Sequence, residues 1–140
     1  DSDMASIMNA FDVLLNPALS EGFGLPMLEA QMCGIPVIAN EFSTTKELLH
    51  AGWTVGGQKV WGFGAKSWRI LPDPRQIADR LLEAYETLKS DKAREALAEK
   101  ARAGATLLDT KVTGQMYWKP VMADIEQKVT GGGKLELVEF

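Results

Sequence analysis

One helix with its own start and stop signals, placed between two short apolar runs, narrows the folds open to this chain. The runs are DVLLNP (residues 12–17) and PVIAN (residues 36–40), and each predicts a strand that is buried on both faces. Between them, Pro26 suits the first turn of a helix and Gly34 suits its end, so residues 25–33 are predicted as a helix. Two strands joined by a helix through short connections are parallel and right-handed. The sequence therefore predicts an α/β fold with a parallel sheet flanked by helices.

The C-terminal half is predicted to be helical. Asp73 suits the N-cap of a first helix, and Gln76, three residues later, completes a capping pattern. A second helix is predicted to begin after Ser90 and to stop at Gly104, while Pro120 either kinks a last helix or begins its final stretch. The apolar positions of the first of these helices predict a buried face made of Ile77, Leu81, Ala84, Tyr85 and Leu88. A helical C-terminal tail should therefore follow the α/β unit.

Residues 50–73 form a segment rich in tryptophan. The segment holds Trp53, Trp61 and Trp68, three of the four tryptophans in the chain. These three tryptophans predict a hairpin extension, to which the sequence assigns no role.

The overall composition excludes several classes of function. A formal charge of −4 is unlike that of proteins that hold nucleic acid with clustered basic side chains, so no nucleic acid partner is expected. The single cysteine, Cys33, cannot form an internal disulfide, and with the single histidine, His50, it offers little to a metal. No apolar run approaches the roughly 18 residues of a transmembrane segment, and the acidic start is unlike a signal peptide. The expectation is a soluble, cytoplasmic protein without a transmembrane segment.

The loops at residues 17–24 and 40–46 follow the two predicted strands and should lie together at the edge where such folds bind ligands. Gly22 and Gly24 allow a ligand to approach the backbone at a helix N-terminus, which favours a phosphate. Glu29 lies one turn into the helix, and we expect its carboxylate to point back toward this loop and to accept hydrogen bonds from a vicinal diol such as that of ribose. The pattern indicates a nucleotide or sugar-phosphate site.

The stretch EGFGLPMLE contains Glu21 and Glu29, separated by seven residues. Together with the preceding DVLLNPALS and the following AQMCGIPVIA, it resembles the E-x7-E motif of retaining glycosyltransferases of family four, which have the GT-B fold. Glu47 in TTKELL matches the glutamate of a Pro-Glu pair in that family, and the strongest similarity covers residues 12–49. The resemblance implies a Rossmann-like sheet that forms half of a GT-B fold.

The resemblance also implies roles for individual residues. Glu29 would hold the ribose hydroxyls of a nucleotide-diphosphate sugar, which is a UDP-, GDP- or ADP-sugar, and Glu21 would contact the donor hexose at the catalytic centre. The reaction would transfer a hexose to the hydroxyl of an unknown acceptor with retention of anomeric configuration. No divalent metal and no cofactor is expected. Backbone contacts to the sugar and diphosphate would come from Gly22, Phe23, Gly24 and Leu25.

Each of these assignments has a structural alternative. The Glu21 loop is alternatively a strand-to-helix turn whose glycines serve geometry alone, and Glu29 is alternatively a buried acid satisfied by a backbone amide or a basic side chain. Ser43 and Thr44 would offer a hydroxyl or an amide to the diphosphate, but either residue suits a helix N-cap equally well. Glu47 either contacts the ligand or only interacts favourably with a helix dipole, and Phe23 is as well explained by packing.

The resemblance further implies that residues 1–130 are a C-terminal donor-binding domain that is incomplete on its N-terminal side, with residues 131–140 as a flexible tail. The partner N-terminal GT-B domain and a basic diphosphate clamp would be missing, so the isolated chain is expected to be inactive. Exposed apolar positions of the last helix make self-association a risk. The alternative function is a non-catalytic nucleotide-sugar-binding or protein-interaction module with the same fold.

Overall fold

The computed structural model describes residues 2–130, so the predicted tail at residues 131–140 lies outside the described residues. The chain divides into two compact units, one ending at Ala105 and the other beginning at Thr106. In chain order, the elements are α1 (Ser2–Met8), β1 (Leu14–Asn16), α2 (Leu25–Met32), β2 (Val37–Asn40), α3 (Thr45–Leu48), β3 (Gly52–Val55), β4 (Gly57–Gly62), β5 (Ser67–Pro72), α4 (Pro74–Leu88), α5 (Asp91–Thr106), α6 (Thr110–Thr113), a π-helix (Gly114–Trp118) and α7 (Lys119–Thr130).

The centre of the first unit is a three-stranded parallel sheet with the order β1-β2-β3. All four residues of β2, the middle strand, are buried, as predicted for a strand covered on both faces. The same prediction is wrong for β1, which is only partly buried, with Leu15 39% exposed. Ile38 and Val55 pack with Ala84 of α4 to form the buried core. This arrangement confirms the predicted α/β fold with a parallel sheet flanked by helices and a helical C-terminal stretch.

The helix α2 begins where the sequence predicts. Gly24 is its N-cap with a φ of 87°, a left-handed conformation that favours glycine, and Pro26 lies in the first turn. The apolar residues of α2 are not all enclosed, because Leu25 is 57% exposed and Met32 is 38% exposed. Only one side of the helix is fully buried, and it comprises Met27, Leu28, Ala30 and Gln31.

The helix α4 has the predicted cap but a narrower buried face. The Asp73 carboxylate accepts a hydrogen bond from the Arg75 amide at 2.9 Å, and Gln76 accepts one from the Gly56 amide instead of completing a capping box. The predictions that Leu81 and Tyr85 are buried are wrong, because Leu81 is 38% exposed and Tyr85 is 63% exposed. The Lys89 ammonium lies 4.4 Å from the Tyr85 ring centroid.

The helix α5 does not stop at Gly104 as the sequence predicts but continues to Thr106. A Cβ at Gly104 would lie 2.1 Å from Cγ of His50, so this glycine allows the His50 side chain to approach the helix backbone closely. The glycine at position 104 therefore makes room for His50 and does not end the helix.

The second unit consists of α6, the π-helix and α7. Pro120 is the second residue of α7, so it begins the final stretch instead of kinking it. Among residues 2–130, no helix combines the length and the apolar character needed to cross a membrane.

The predicted hairpin extension is confirmed. β4 and β5 pair in antiparallel register, with Trp61 directly opposite Trp68. Trp53 belongs instead to β3, the third strand of the parallel sheet, which the sequence did not separate from the hairpin.

Candidate functional site

Two asparagines stabilise the loop at residues 17–24. Asn16 ends β1, and its side-chain amide donates a hydrogen bond to Oε1 of Glu21 at 3.3 Å. Asn40 ends β2, is 3% exposed, and donates from its side chain to the Ala18 carbonyl. Because the strands are parallel, both asparagines lie at the carboxyl edge of the sheet. The sequence analysis missed them, although a polar residue at the end of a buried strand was an available signal.

Ser43 brings together the loops that follow β1 and β2. Its hydroxyl donates a hydrogen bond to the Glu21 carbonyl at 2.8 Å, and its backbone has a φ of 57°. Two of the predicted site residues are therefore in direct contact. Glu21 is held through both its carbonyl oxygen and its carboxylate, which fixes the orientation of the loop.

At the start of α2, the glycine-rich loop has four amides without a hydrogen-bond acceptor among the described residues. Within residues 2–130, the amides of Gly22, Phe23, Gly24 and Leu25 donate no hydrogen bond. Such groups at a helix N-terminus, with the positive end of the helix dipole, attract anions. A Cβ at Gly22 would meet no atom within 4 Å, and Phe23 is 48% exposed, so packing does not account for either residue.

Thr44 carries a hydroxyl without a partner. It is the N-cap residue of α3, but its side chain makes no cap hydrogen bond, and its Oγ1 is buried without a hydrogen-bond partner in the described part of the chain. This oxygen lies 3.8 Å from where a Cβ on Gly24 would be, so it faces the start of α2. Neither Ser43 nor Thr44 therefore acts as an N-cap through its side chain.

Glu29 is half-buried in the wall of a cavity of about 340 Å³. Its carboxylate has no hydrogen bond or ion pair to any residue in the range 2–130. We expected it to point toward the loop at residues 17–24, but the cavity wall is completed by α1 and the end of α2, through Met4, Ala5, Met8, Met32 and Cys33. The sequence analysis missed α1, for which the spacing of Met4 and Met8 was the available signal.

Glu47 lies in the first turn of α3, where it is exposed. Its carboxylate makes no hydrogen bond or ion pair within the described chain, and only its backbone amide, which donates to the Thr44 carbonyl at 3.0 Å, joins it to another candidate site residue. Among residues 2–130, no group of three or more histidine, cysteine or acidic side chains has the arrangement of a metal site. The loops at residues 17–24 and 40–46 thus offer the Glu21 carboxylate, free amides and the Thr44 hydroxyl, while the Glu29 carboxylate lines the cavity beside α1.

Residues 2–87 match the sequence profile of the family described as "Glycosyl transferases group 1". The chain belongs to this family. Within it, the chain is 39% identical over 66 residues to a D-inositol 3-phosphate glycosyltransferase of Pseudarthrobacter chlorophenolicus, a match that covers 47% of this chain and 15% of the relative. It is 37% identical over 87 residues to O-antigen chain mannosyltransferase B of Escherichia coli, covering 56% of this chain and 23% of the relative.

A third glycosyltransferase relative extends the similarity further along the chain. The D-inositol 3-phosphate glycosyltransferase of Streptomyces bingchenggensis is 31% identical over 103 residues, which cover 69% of this chain and 23% of that protein. The chain thus spans less than a quarter of the length of each of these relatives.

Proposed function

We propose that this chain is the donor-binding part of a retaining glycosyltransferase that transfers a hexose from a nucleotide-diphosphate sugar to an acceptor hydroxyl. The observation that carries the proposal is the Glu29 carboxylate, which is half-buried and without a partner in the described chain, at a cavity of about 340 Å³. A carboxylate in such a place gains from a ligand that donates two hydrogen bonds, as the ribose diol does. The cavity volume also falls within the roughly 300–1,000 Å³ of small-molecule sites.

In this proposal, Glu21 binds the donor hexose. The Asn16 amide occupies Oε1 of Glu21, and no described residue donates to Oε2, which is left to accept from sugar hydroxyls. The Ser43 bond to the Glu21 carbonyl restricts movement of the loop. A carboxylate that is already oriented before the sugar binds contributes more to transition-state stabilisation than one that must reorganise.

The diphosphate would lie at the start of α2. The free amides of residues 22–25 and the Thr44 hydroxyl would donate to its oxygens, and the helix dipole would stabilise the negative charge that develops as the diphosphate leaves. The acceptor hydroxyl would attack the same face of the sugar from which the diphosphate departs, so the anomeric configuration is retained. This chemistry requires no divalent metal.

An NMR titration with UDP, GDP and ADP, and with their glucose or mannose forms, tests this proposal. We expect chemical-shift changes in the loops at residues 17–24 and 40–46, along α2, and in α1, which lines the cavity at Glu29. The preferred nucleotide would identify the base. Saturable binding with shifts confined to other surfaces would contradict the proposal. We expect no turnover by this chain alone, because it spans less than a quarter of each relative.

A further inference from the structure

The hairpin of β4 and β5 presents an aromatic surface to solvent. The pairing register places Lys59, Trp61, Trp68 and Ile70 on one side of the hairpin, which we call the tryptophan face. Trp61 is 42% exposed and Trp68 is 49% exposed. Phe63, in the turn that joins the strands, is 84% exposed. Exposed large aromatic side chains that are grouped in this way mark a binding surface more often than isolated ones do.

The two indoles hold each other in place. Their ring centroids are 5.3 Å apart, and the ring planes cross at 73°, an edge-to-face arrangement that aromatic pairs favour. The Lys59 ammonium lies 4.9 Å from the ring centroid of Trp68. The tryptophan face is therefore an ordered platform with a cation on it.

A backbone hydrogen bond connects the hairpin to the loop of the candidate donor site. The Ile70 amide donates a hydrogen bond to the Leu19 carbonyl at 2.9 Å, so the loop at residues 17–24 runs along the edge of β5 that faces away from β4. Glu21, the proposed hexose-binding carboxylate, lies two residues after Leu19. A ligand on the hairpin would thus lie beside the loop that holds the donor sugar.

We propose that the tryptophan face binds a pyranose ring of the acceptor glycan. This inference rests on the proposed glycosyltransferase function. The C–H groups on one face of a pyranose carry a small positive charge and pack well against the negative face of an indole ring. The hydroxyls of the pyranose would remain free to accept a hydrogen bond from the Lys59 ammonium.

The Lys59 ammonium also favours a sugar over an apolar ligand on the tryptophan face. A lipid tail that covered the tryptophan face would bury the ammonium without an acceptor, which is costly. A sugar supplies hydroxyl oxygens to the ammonium and C–H groups to the rings, so it suits both parts of the surface.

The test uses the indole N–H signals of the four tryptophans in an NMR titration with maltotriose and with α-1,2-mannobiose. We expect at least one of these sugars to shift the signals of Trp61 and Trp68 in a saturable way while those of Trp53 and Trp118 stay fixed. The variant W61A should weaken this binding by about tenfold. The control variant L71A changes a 49% exposed residue on the opposite side of the hairpin and should bind as the wild type does.

Protection from hydrogen exchange of the amides that pair β4 with β5 reports whether the hairpin of each variant remains folded, and protection of the Ile70 amide reports whether the hairpin stays bound to the loop at residues 17–24. The variant F63A offers a second, milder change at the turn. Fixed Trp61 and Trp68 signals with both sugars would overturn the proposal. Shifts of these signals on dilution without sugar would also overturn it, because they would indicate contact between copies. Adding UDP, GDP or ADP to the same sample tests the donor site separately, so failure of one proposal is distinguishable from failure of the other.

Discussion

The side-chain amide of Gln31 donates a hydrogen bond to the carbonyl of Leu48 at 2.8 Å and so joins α2 to the end of α3. The same amide donates to the Met27 carbonyl at 3.2 Å, and the Gln31 Oε1 accepts from the amides of His50 and Ala51 at 2.8 and 3.1 Å. Gln31 is fully buried. A single polar side chain thus satisfies the backbone between α3 and β3, where no regular secondary structure does so.

Replacing Gln31 with leucine should destabilise the protein strongly. The Q31L variant keeps a similar volume but leaves backbone groups of Leu48, His50 and Ala51 buried without partners, at a cost of about 3 kcal/mol in the free energy of unfolding. Urea denaturation followed by tryptophan fluorescence measures this change. The matched control is Q58L, at an exposed position of the hairpin, which should change stability by less than about 0.5 kcal/mol. Equal stability of the two variants would show that the Gln31 hydrogen bonds contribute little.

At Gly104 we predict the reverse of the usual effect of alanine in a helix. Alanine normally stabilises a helix relative to glycine by about 1 kcal/mol. Here the added Cβ would lie 2.1 Å from Cγ of His50, so G104A should instead destabilise by about 2 kcal/mol. Thermal unfolding measured by circular dichroism shows whether G104A raises or lowers the stability. The exposed neighbour in the same helix gives the control, because A103G should show the ordinary cost of about 1 kcal/mol. A stabilised G104A variant would contradict the packing of His50 on Gly104.

The elements that were predictable from sequence depend on local signals. Pro26 and Gly34 define α2 because proline and glycine act on the backbone at their own positions, and Asp73 caps α4 for the same reason. The wrong predictions concern residues whose environment depends on a contact with a part of the chain that is far away in sequence. Gly104 has the sequence pattern of a helix stop, but the position of His50, more than fifty residues earlier, explains it.

The candidate site also combines a part that local sequence signals predict with contacts that only the tertiary structure reveals. The loop containing Glu21 was predictable because its glycines and the adjacent strand and helix are contiguous in sequence. The asparagines could be marked as polar residues at strand ends, but their contact with the loop could not be predicted, since Asn40 becomes its neighbour only through the pairing of β1 with β2. Likewise, the spacing of Met4 and Met8 could indicate α1, but not that α1 lies against α2 and forms part of the cavity wall beside Glu29.

Two glycines of the loop should respond differently to alanine. Gly24 has a φ of 87°, and a Cβ there would lie 3.2 Å from Cε of Met27, so G24A should cost about 1–2 kcal/mol in stability. Gly22 has open space around it, so G22A should change stability by less than about 0.5 kcal/mol. In the donor-site proposal, however, G22A should weaken nucleotide-sugar binding, because its methyl group occupies the side from which the ligand approaches. Urea denaturation and NMR titration of both variants check these outcomes, and unchanged binding by G22A would argue against backbone contact at this glycine.

The most direct measurement of the central claim compares the binding of UDP, GDP and ADP with that of their 2′-deoxy forms by calorimetry, in the wild type and in the variants E29Q and E99Q. If Glu29 holds the ribose diol, removing the 2′-hydroxyl should weaken binding to the wild type and to E99Q, an exposed control on α5, by about tenfold or more. In E29Q the same removal should have a much smaller effect, because a neutral amide accepts the hydroxyl proton less strongly than a carboxylate. An equal loss of affinity in E29Q and the wild type would contradict the assignment of Glu29 as the ribose ligand.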